Sequence, residues 1–350
     1  MTQISYASMD NIFVSSQMIN NNKFFIKNLS NIVFIGETPI FDKLIKFNDS
    51  VNIKSFVITS SSQSSSIKKN IDYVVHDKLD EKFKNYILKE VDIDDTLFIS
   101  IGSRTIFKRD IIDFLKNNLI NFHDFRLPLN AGGAGFSWQI LRDDRLHNSL
   151  VHLVDEGVDT GPLLDYETTI VPNSCTTPRD WEEYNLGRFE IFYIQLIKKI
   201  IESKDLDLQP QLKYLGSYQP RLSTLHNGFI DWNLESHSLA SFINAFDDPF
   251  EGASTYINST SKKVHIKNIT LHGGDSSNHP FMSGLISRHD KNWIVVSTTD
   301  KYMLLIREVL DEAGKNIINE VKVGDRFFTP EDALVKAREY RARFTNTSKK

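Results

Sequence analysis

Cysteine is almost missing from this chain: Cys175 is the only one in 350 residues. A lone thiol cannot close an internal disulfide, which excludes a secreted disulfide-stapled scaffold and makes a reducing cytoplasm the expected compartment. Long apolar runs are missing too. Nothing approaches the run of about 18 apolar residues that a membrane span needs, so no membrane partner is expected. Residues 1–30 carry no basic segment followed by an apolar one, so no secretory leader is expected. There is no excess of positive charge: 41 Lys and Arg face 45 Asp and Glu, a net charge of −4. A nucleic-acid partner would call for a basic domain or stripe, and none is expected here. No GxGxxG follows the first strand signal, where residues 34–39 read FIGETP, so a dinucleotide fingerprint is lacking. The scattered histidines, His226, His272 and His279 among them, show no metal-ligand spacing, and no metal is expected. No repeat is visible. Residues 60–66 (SSSQSSS) are the one low-complexity patch and are expected to form a mobile loop.

With 40% hydrophobic and 25% charged residues, the chain has the composition of a globular protein, long enough for one large domain and a smaller one. Apolar strand signals at 31–35, 53–59, 71–75, 96–101 and 119–123 alternate with helical stretches at 38–47, 80–90 and 105–117. This alternation predicts an α/β fold: a Rossmann-like, mostly parallel sheet flanked by helices. Residues 149–154 form a further strand, with 163–171 as its antiparallel continuation. A long amphipathic helix is expected over 180–203, started by Thr177 and Pro178, with Trp181, Tyr184, Leu186, Phe189 and Ile191 among its apolar positions. Residues 206–219 look like a linker. Beyond it the period changes, and 263–271, 283–297 and 302–309 alternate apolar and polar residues, as antiparallel strands with one wet face do. The expected organisation is an N-terminal extension (1–30), a catalytic α/β domain (31–205) and a smaller β-rich C-terminal domain (206–350) with a charged helix over 330–343 and a frayed tail. The extension is either an extra strand or a short helix packed on the first domain.

Ligands of such sheets bind outside the carboxyl ends of the strands. Asn121 and His123 lie at one such end, and Asp159 follows in the turn DEGVDTGP at 155–162. An asparagine amide can donate to a developing oxyanion. A histidine, with an ordinary pKa of about 6.5, can take or give a proton near neutrality. A carboxylate can orient the imidazole, accept through water, or favour its cationic form. Taken alone, an Asn-x-His pair between aromatic residues Phe122 and Phe125 is also the pattern of a satisfied structural histidine.

Asn121, His123, Leu127-Pro128 and Asp159-Thr160-Gly161 appear in order, with His152 seven residues before Asp159. This series resembles the 10-formyltetrahydrofolate-dependent formyltransferases. The wording HLVDEGVDTG at 152–161 is most similar to the branch acting on nucleotide-linked amino sugars. The blocks YQPR (218–221), GFIDW (228–232) and DPFEGA (248–253) resemble those that follow the catalytic domain in sugar formyltransferases, including enzymes of 4-amino-4-deoxyarabinose and of dTDP-4-amino-4,6-dideoxyhexoses; the resemblance spans about 31–271. It implies an N-formyltransferase that moves the formyl group of 10-formyltetrahydrofolate to the amine of a nucleotide-activated amino sugar, for bacterial surface polysaccharide such as lipopolysaccharide O-antigen. His123 would be the general base, Asn121 the oxyanion donor, and Asp159 the residue that orients His123 and helps relay the proton.

By the same resemblance, Asp155, Glu156, Gly157 and Val158 hold the pteridine, mostly through backbone groups; the plain alternative is a β-turn. Ser103, Arg104, Thr105, Ile106 and Phe107 would line the same pocket. Arg104 faces a phosphate or the folate glutamate, or is simply solvated. Many relatives are homodimers, though no interface is legible in this sequence.

The chain departs from the family beside the acceptor. Asp124-Phe125 replaces Pro-Ser or Gly-Ser after the histidine, residues 129–133 (LNAGG) replace Tyr-Arg-Gly, and 146–148 (LHN) replace a glycine. These changes bear on which acceptor is used. Residues 131–135 (AGGAG) lack the Lys-Ser/Thr of a P-loop and are expected to be a mobile loop near the acceptor. Phe136 and Trp138 read as core or as stacking residues. Arg221 and Trp232 would reach a nucleotide across the domain interface, with core as the alternative for Trp232. Two other functions stand beside the first. One is methionyl-tRNA formyltransferase, which should bring a basic linker and second domain. The other is a non-catalytic homologue that binds nucleotide sugar or folate.

Overall fold

The computed structural model describes residues 23–202, 205–212, 216–274 and 277–342. Most of the leader and the tail expected to fray lie outside the described residues. A seven-stranded sheet runs in the order Val74–Val75, Lys54–Thr59, Asn31–Gly36, Thr96–Ile101, Leu119–His123, Leu146–Leu153, Leu163–Ile170. The first five strands are parallel and the last two antiparallel. Strand Thr96–Ile101 is buried along its whole length, which is why its sequence is a continuous apolar run rather than an alternating one.

Helices cover both faces. Helix Pro178–Ile201 packs Phe189, Phe192, Tyr193, Leu196 and Ile197 against Phe34, Leu97, Ile99, Ile120 and Phe122. It begins where expected, because Thr177 and Asp180 form a reciprocal capping box with Pro178 in the first turn. On the other face, Phe83 and Ile87 of helix Glu81–Glu90, and Ile111 and Ile112 of helix Arg109–Phe114, pack against Val33, Ile35 and Phe98.

A second, six-stranded antiparallel sheet has the order Ile286–Asp290, Trp293–Ser297, Tyr302–Leu310, Lys263–Gly273, Ala253–Ile257, Phe327–Phe328. Helix Ser236–Ala245 lies on it through Leu239, Ala240 and Ile243. This core also takes in Ile140, Val171 and Trp181. The first turn of the long helix therefore packs on the second sheet, while its later turns pack on the first. Trp232 is core: it is 7% exposed, stacks on Phe327 and donates its indole N–H to the Thr255 hydroxyl at 2.9 Å.

Several expectations are corrected. The first helix starts at Phe41 rather than 38, in keeping with the bias of a pre-proline residue such as Thr38 away from helical backbone. The helix expected over 105–117 is only Arg109–Phe114, since Lys116 and Asn117 turn to positive φ (53° and 62°). The strand expected over 71–75 shrinks to Val74–Val75. The serine patch is not a free loop. Ser64–Ser66 form a 3₁₀ turn, and the buried Gln63 donates to the Gly102 carbonyl (2.8 Å) and to Glu37 Oε1 (2.9 Å). Nor is 131–135 a free loop: Ala131–Gly132 pairs in parallel with Tyr218–Gln219, and Gly135 opens helix Gly135–Leu141, which the sequence did not signal. The Phe125 ring lies 2.2 Å from where a Cβ at 135 would sit, so only glycine fits there. The linker-like crossing is stitched down at its start, where Leu206–Asp207 pairs antiparallel with Lys23–Phe24 at the end of the leader. Among the described residues, no helix is long and apolar enough to cross a membrane.

Candidate active site

Alternation along Leu119–His123 divides its side chains. Phe122 turns to the long helix and packs against Phe189 at 4.8 Å between ring centroids. Asn121 and His123 therefore face the other way. The antiparallel register sets His152 directly opposite Asn121, on the same face. His152 Nδ1 lies 2.7 Å from the Leu153 carbonyl and its Nε2 lies 3.1 Å from Asn121 Nδ2. A carbonyl can only accept, so Nδ1 carries the proton and Nε2 accepts from the Asn121 amide. This leaves one amide proton of Asn121 for a ligand.

Asp159 reaches this pair from the turn after Leu146–Leu153. Its Oδ1 is 3.7 Å from His123 Nδ1 and 3.7 Å from His152 Nε2. At that distance the carboxylate bonds directly to neither ring, and its negative charge faces the Nδ1 edge of His123. The side chains of His123 and Asp159 are 12% and 18% exposed. Burial lowers the pKa of His123, as does the His152 ring, and they outweigh the opposing pull of Asp159 and Asp124. His123 is thus neutral at pH 7. Asp159 faces its Nδ1, and its Nε2 is buried with no partner among the described residues. Burial pushes the Asp159 carboxyl up, but the two imidazoles prevail and hold it below the usual carboxylate range. The pair is a neutral base with an ionised carboxylate behind it.

The turn at 155–162 is more than a plain β-turn. Asp155 Oδ1 accepts from the Gly157 N–H (3.1 Å) and the Thr160 hydroxyl (2.6 Å). Asp159 sits at φ +57°, in the left-handed region. Gly161 is obligatory, because a Cβ there would lie 1.8 Å from the Leu153 carbonyl oxygen. Gln211, which sequence reasoning missed, donates from Nε2 to the carbonyls of Asp159 (3.0 Å) and Gly161 (2.7 Å). A single glutamine in a linker-like stretch carries no sequence signal for this.

The neighbouring loop comes alongside: Arg109 Nη1 is 3.9 Å from Glu156 Oε1. Each loop shows solvent one apolar side chain, Ile106 (66% exposed) and Val158 (68%), which suits the flat face of a pterin. Thr105 donates its N–H to the Ser103 hydroxyl at 3.1 Å, which fixes the turn. Arg104 is 69% exposed, 3.9 Å from Glu37. Phe107, unlike Ile106, is buried in the core with Ile111 and Phe98. On the long-helix side of the strand end lies a cavity of about 410 Å³, lined by Glu37, Thr38, Asp124, Phe136, Glu182 and Asn185 among others. The catalytic candidates border it through Asp124 rather than lining it. Among the described residues no group of three or more His, Cys, Asp or Glu could hold a metal.

Residues 223–322 match the family model described as "Formyl transferase, C-terminal domain". Among curated proteins, the methionyl-tRNA formyltransferase of Ruminiclostridium cellulolyticum is 26% identical over 235 residues, 67% of this chain and 73% of the relative. That of Clostridium perfringens is 27% identical over 233 residues, 67% and 72%. Among solved structures, WlaRD, a sugar 3N-formyl transferase with dTDP and 5-N-formyl-THF, superposes with a TM-score of 0.58 at 20% identity, covering 80% of this chain and 98% of that one. An N-formyltransferase from Helicobacter canadensis, in complex with folinic acid and dTDP-3-aminofucose, gives 0.56 at 19% identity, covering 80% and 99%. A formyl transferase C-terminal domain is thus matched over residues 223–322, on a chain similar to formyltransferases in sequence and in fold.

Proposed function

We propose that this chain transfers the formyl group of 10-formyltetrahydrofolate to the amine of a nucleotide-linked amino sugar. The observation that carries the reading is the buried, unpartnered Nε2 of a neutral His123 with the Asp159 carboxylate behind its Nδ1. Formyl transfer to an amine forms one C–N bond and breaks another, and the proton lost by the attacking amine must reach the departing folate nitrogen. His123 Nε2 takes that proton and returns it. Asp159 stabilises the imidazolium formed in between. The free amide proton of Asn121 serves the oxyanion that develops on the formyl oxygen. The donor enters between the Ile106 and Val158 loops, beside Asp155, Glu156 and Gly157. The acceptor amine approaches the strand end beside Asp124, where His123 Nε2 is buried without a partner among the described residues.

The sugar structures that share the fold support this acceptor, as does the net charge of −4, which gives no overall basic excess for a tRNA backbone. The product would feed bacterial surface-polysaccharide assembly. Methionyl-tRNA formyltransferase is the second reading, favoured by the names of the curated relatives. The two separate in one assay: release of tetrahydrofolate with a panel of dTDP-, UDP-, GDP- and CMP-linked amino sugars, run beside methionyl-tRNA. Turnover on an amino sugar and none on the tRNA is expected. Formylation of the tRNA alone, steeply dependent on salt, overturns the sugar reading.

A further inference from the structure

The crossing between the two sheets does more than connect them. Leu208 is buried in the first core. Gln209 exchanges two backbone hydrogen bonds with Leu163, at 2.8 and 2.9 Å, where the chain leaves the Asp159 turn. Two residues on, the Gln211 amide spans the carbonyls of Asp159 and Gly161. Both acceptors are carbonyl oxygens, so only the NH₂ of Gln211 can face them, and its two protons serve one carbonyl each. These bonds fix the peptide group that follows Asp159 and, two residues on, the one that follows Gly161, while Asp159 itself is a non-glycine residue held at φ +57°.

We propose that Gln211 is a positioning residue whose amide holds the Asp159 turn and thereby sets the distance of the carboxylate from His123. This rests on the reading above, in which Asp159 acts on His123. The linker then belongs to the active site, and the placement of the second sheet is tied to the geometry of the base.

The test compares Gln211→Ala and Gln211→Glu with Gln209→Ala. Glutamate keeps the shape but, once ionised, has no N–H to donate to the carbonyls. Gln209 makes its bridge through the backbone, so its truncation serves as control. Two quantities are measured: kcat and KM for formyl transfer, and NMR titration of the His123 and His152 rings. The charged and titratable groups around His123 are Asp159, His152 and Asp124. Both Gln211 variants should lose about tenfold or more in kcat, as small misplacements in a site do, with smaller changes in KM. In Gln211→Ala, His123 should titrate lower than in wild type, because Asp159 no longer supports its cation; Gln211→Glu brings a negative charge of its own to the site and is therefore read by kcat alone. Gln209→Ala should match wild type in both respects. A folded Gln211→Ala variant with wild-type titration overturns the proposal, whatever its turnover. So does an equal loss in Gln209→Ala, which would make the linker merely structural. The titration needs no turnover. A wild-type chain that transfers no formyl group would therefore sink the functional reading, while a shifted titration would still uphold the clamp.

Discussion

Replacing Asp159 with asparagine tests the centre of the mechanism with little disturbance to the backbone, because asparagine accepts the left-handed conformation (φ +57°) found at this position. What is lost is a negative charge 3.7 Å from His123 Nδ1. Opposite unit charges about 4 Å apart attract by ~1 kcal/mol in bulk water and ~4 kcal/mol at an effective dielectric near 20. Both side chains are mostly buried, 12% and 18% exposed, which places the site toward the upper figure. The attraction is felt when His123 holds the amine proton and not before it, so its loss falls on the transition state. At roughly 1.4 kcal/mol per factor of ten, Asp159→Asn should lower kcat by between about fivefold and about a thousandfold. The sign of the pH effect is also fixed. Asp159 raises the pKa of His123 against the stronger effect of burial. Without it, His123 is deprotonated at lower pH, and the acid limb of the kcat profile shifts to lower pH even as the plateau falls. Initial rates of tetrahydrofolate release across that limb give both numbers. A variant within twofold of wild type, or one with an unmoved limb, would refute the coupling.

Asn121→Ala should cost about 10²–10³ in kcat, the usual loss for one oxyanion donor, with folate affinity nearly kept; isothermal titration against a folate analogue separates the two, and an unchanged kcat removes Asn121 from the chemistry. Stability should weaken on acidification. His147, 1% exposed and bonded to Asn185 at 2.7 Å, has its pKa pushed down by burial, against the raising influence of Asp124 and Asn185. His123 is lowered in the same way. A depressed folded pKa means that the contribution is complete above the ordinary histidine pKa of about 6.5 and is lost as pH falls through the folded value. The melting temperature should therefore fall below pH ~6.5, and more gently in His147→Gln, which has nothing to protonate; parallel acid limbs in calorimetry would exclude His147 from the effect.

The parts of the fold that were legible are those where burial dictates sequence. Strand Thr96–Ile101 could be read because both its faces are covered, and helix Pro178–Ile201 because its capping box marks the start. What was misread depends on tertiary contacts. Gly135 opens a helix because the Phe125 ring occupies the space of a side chain, a condition set by residues that meet only after folding. Serine-rich residues 60–66 looked mobile, yet the buried Gln63 pins them to Gly102. Trp181 was rightly placed on an apolar helix face, but no periodicity reveals that this end of the helix meets a different core.

The same division holds in the site. Asn121 and His123 share a face because alternation in a strand allows nothing else, so a spacing of two is enough to bring them together. Asp159 is different. Its approach to His123 requires a bulge between Val151 and His152, a left-handed residue, a glycine under the Leu153 carbonyl, and an amide arriving from a linker. None of these is periodic, so only the motif pointed to Asp159, and the motif says nothing of Gln211. Phe107 shows the converse. A resemblance assigned five consecutive residues to a pocket wall, yet Ile106 is 66% exposed and Phe107 only 7%. Ile106 and Phe107 diverge, and the core claims Phe107. A stretch taken from a motif thus carries side chains that the core holds as well as side chains left to solvent.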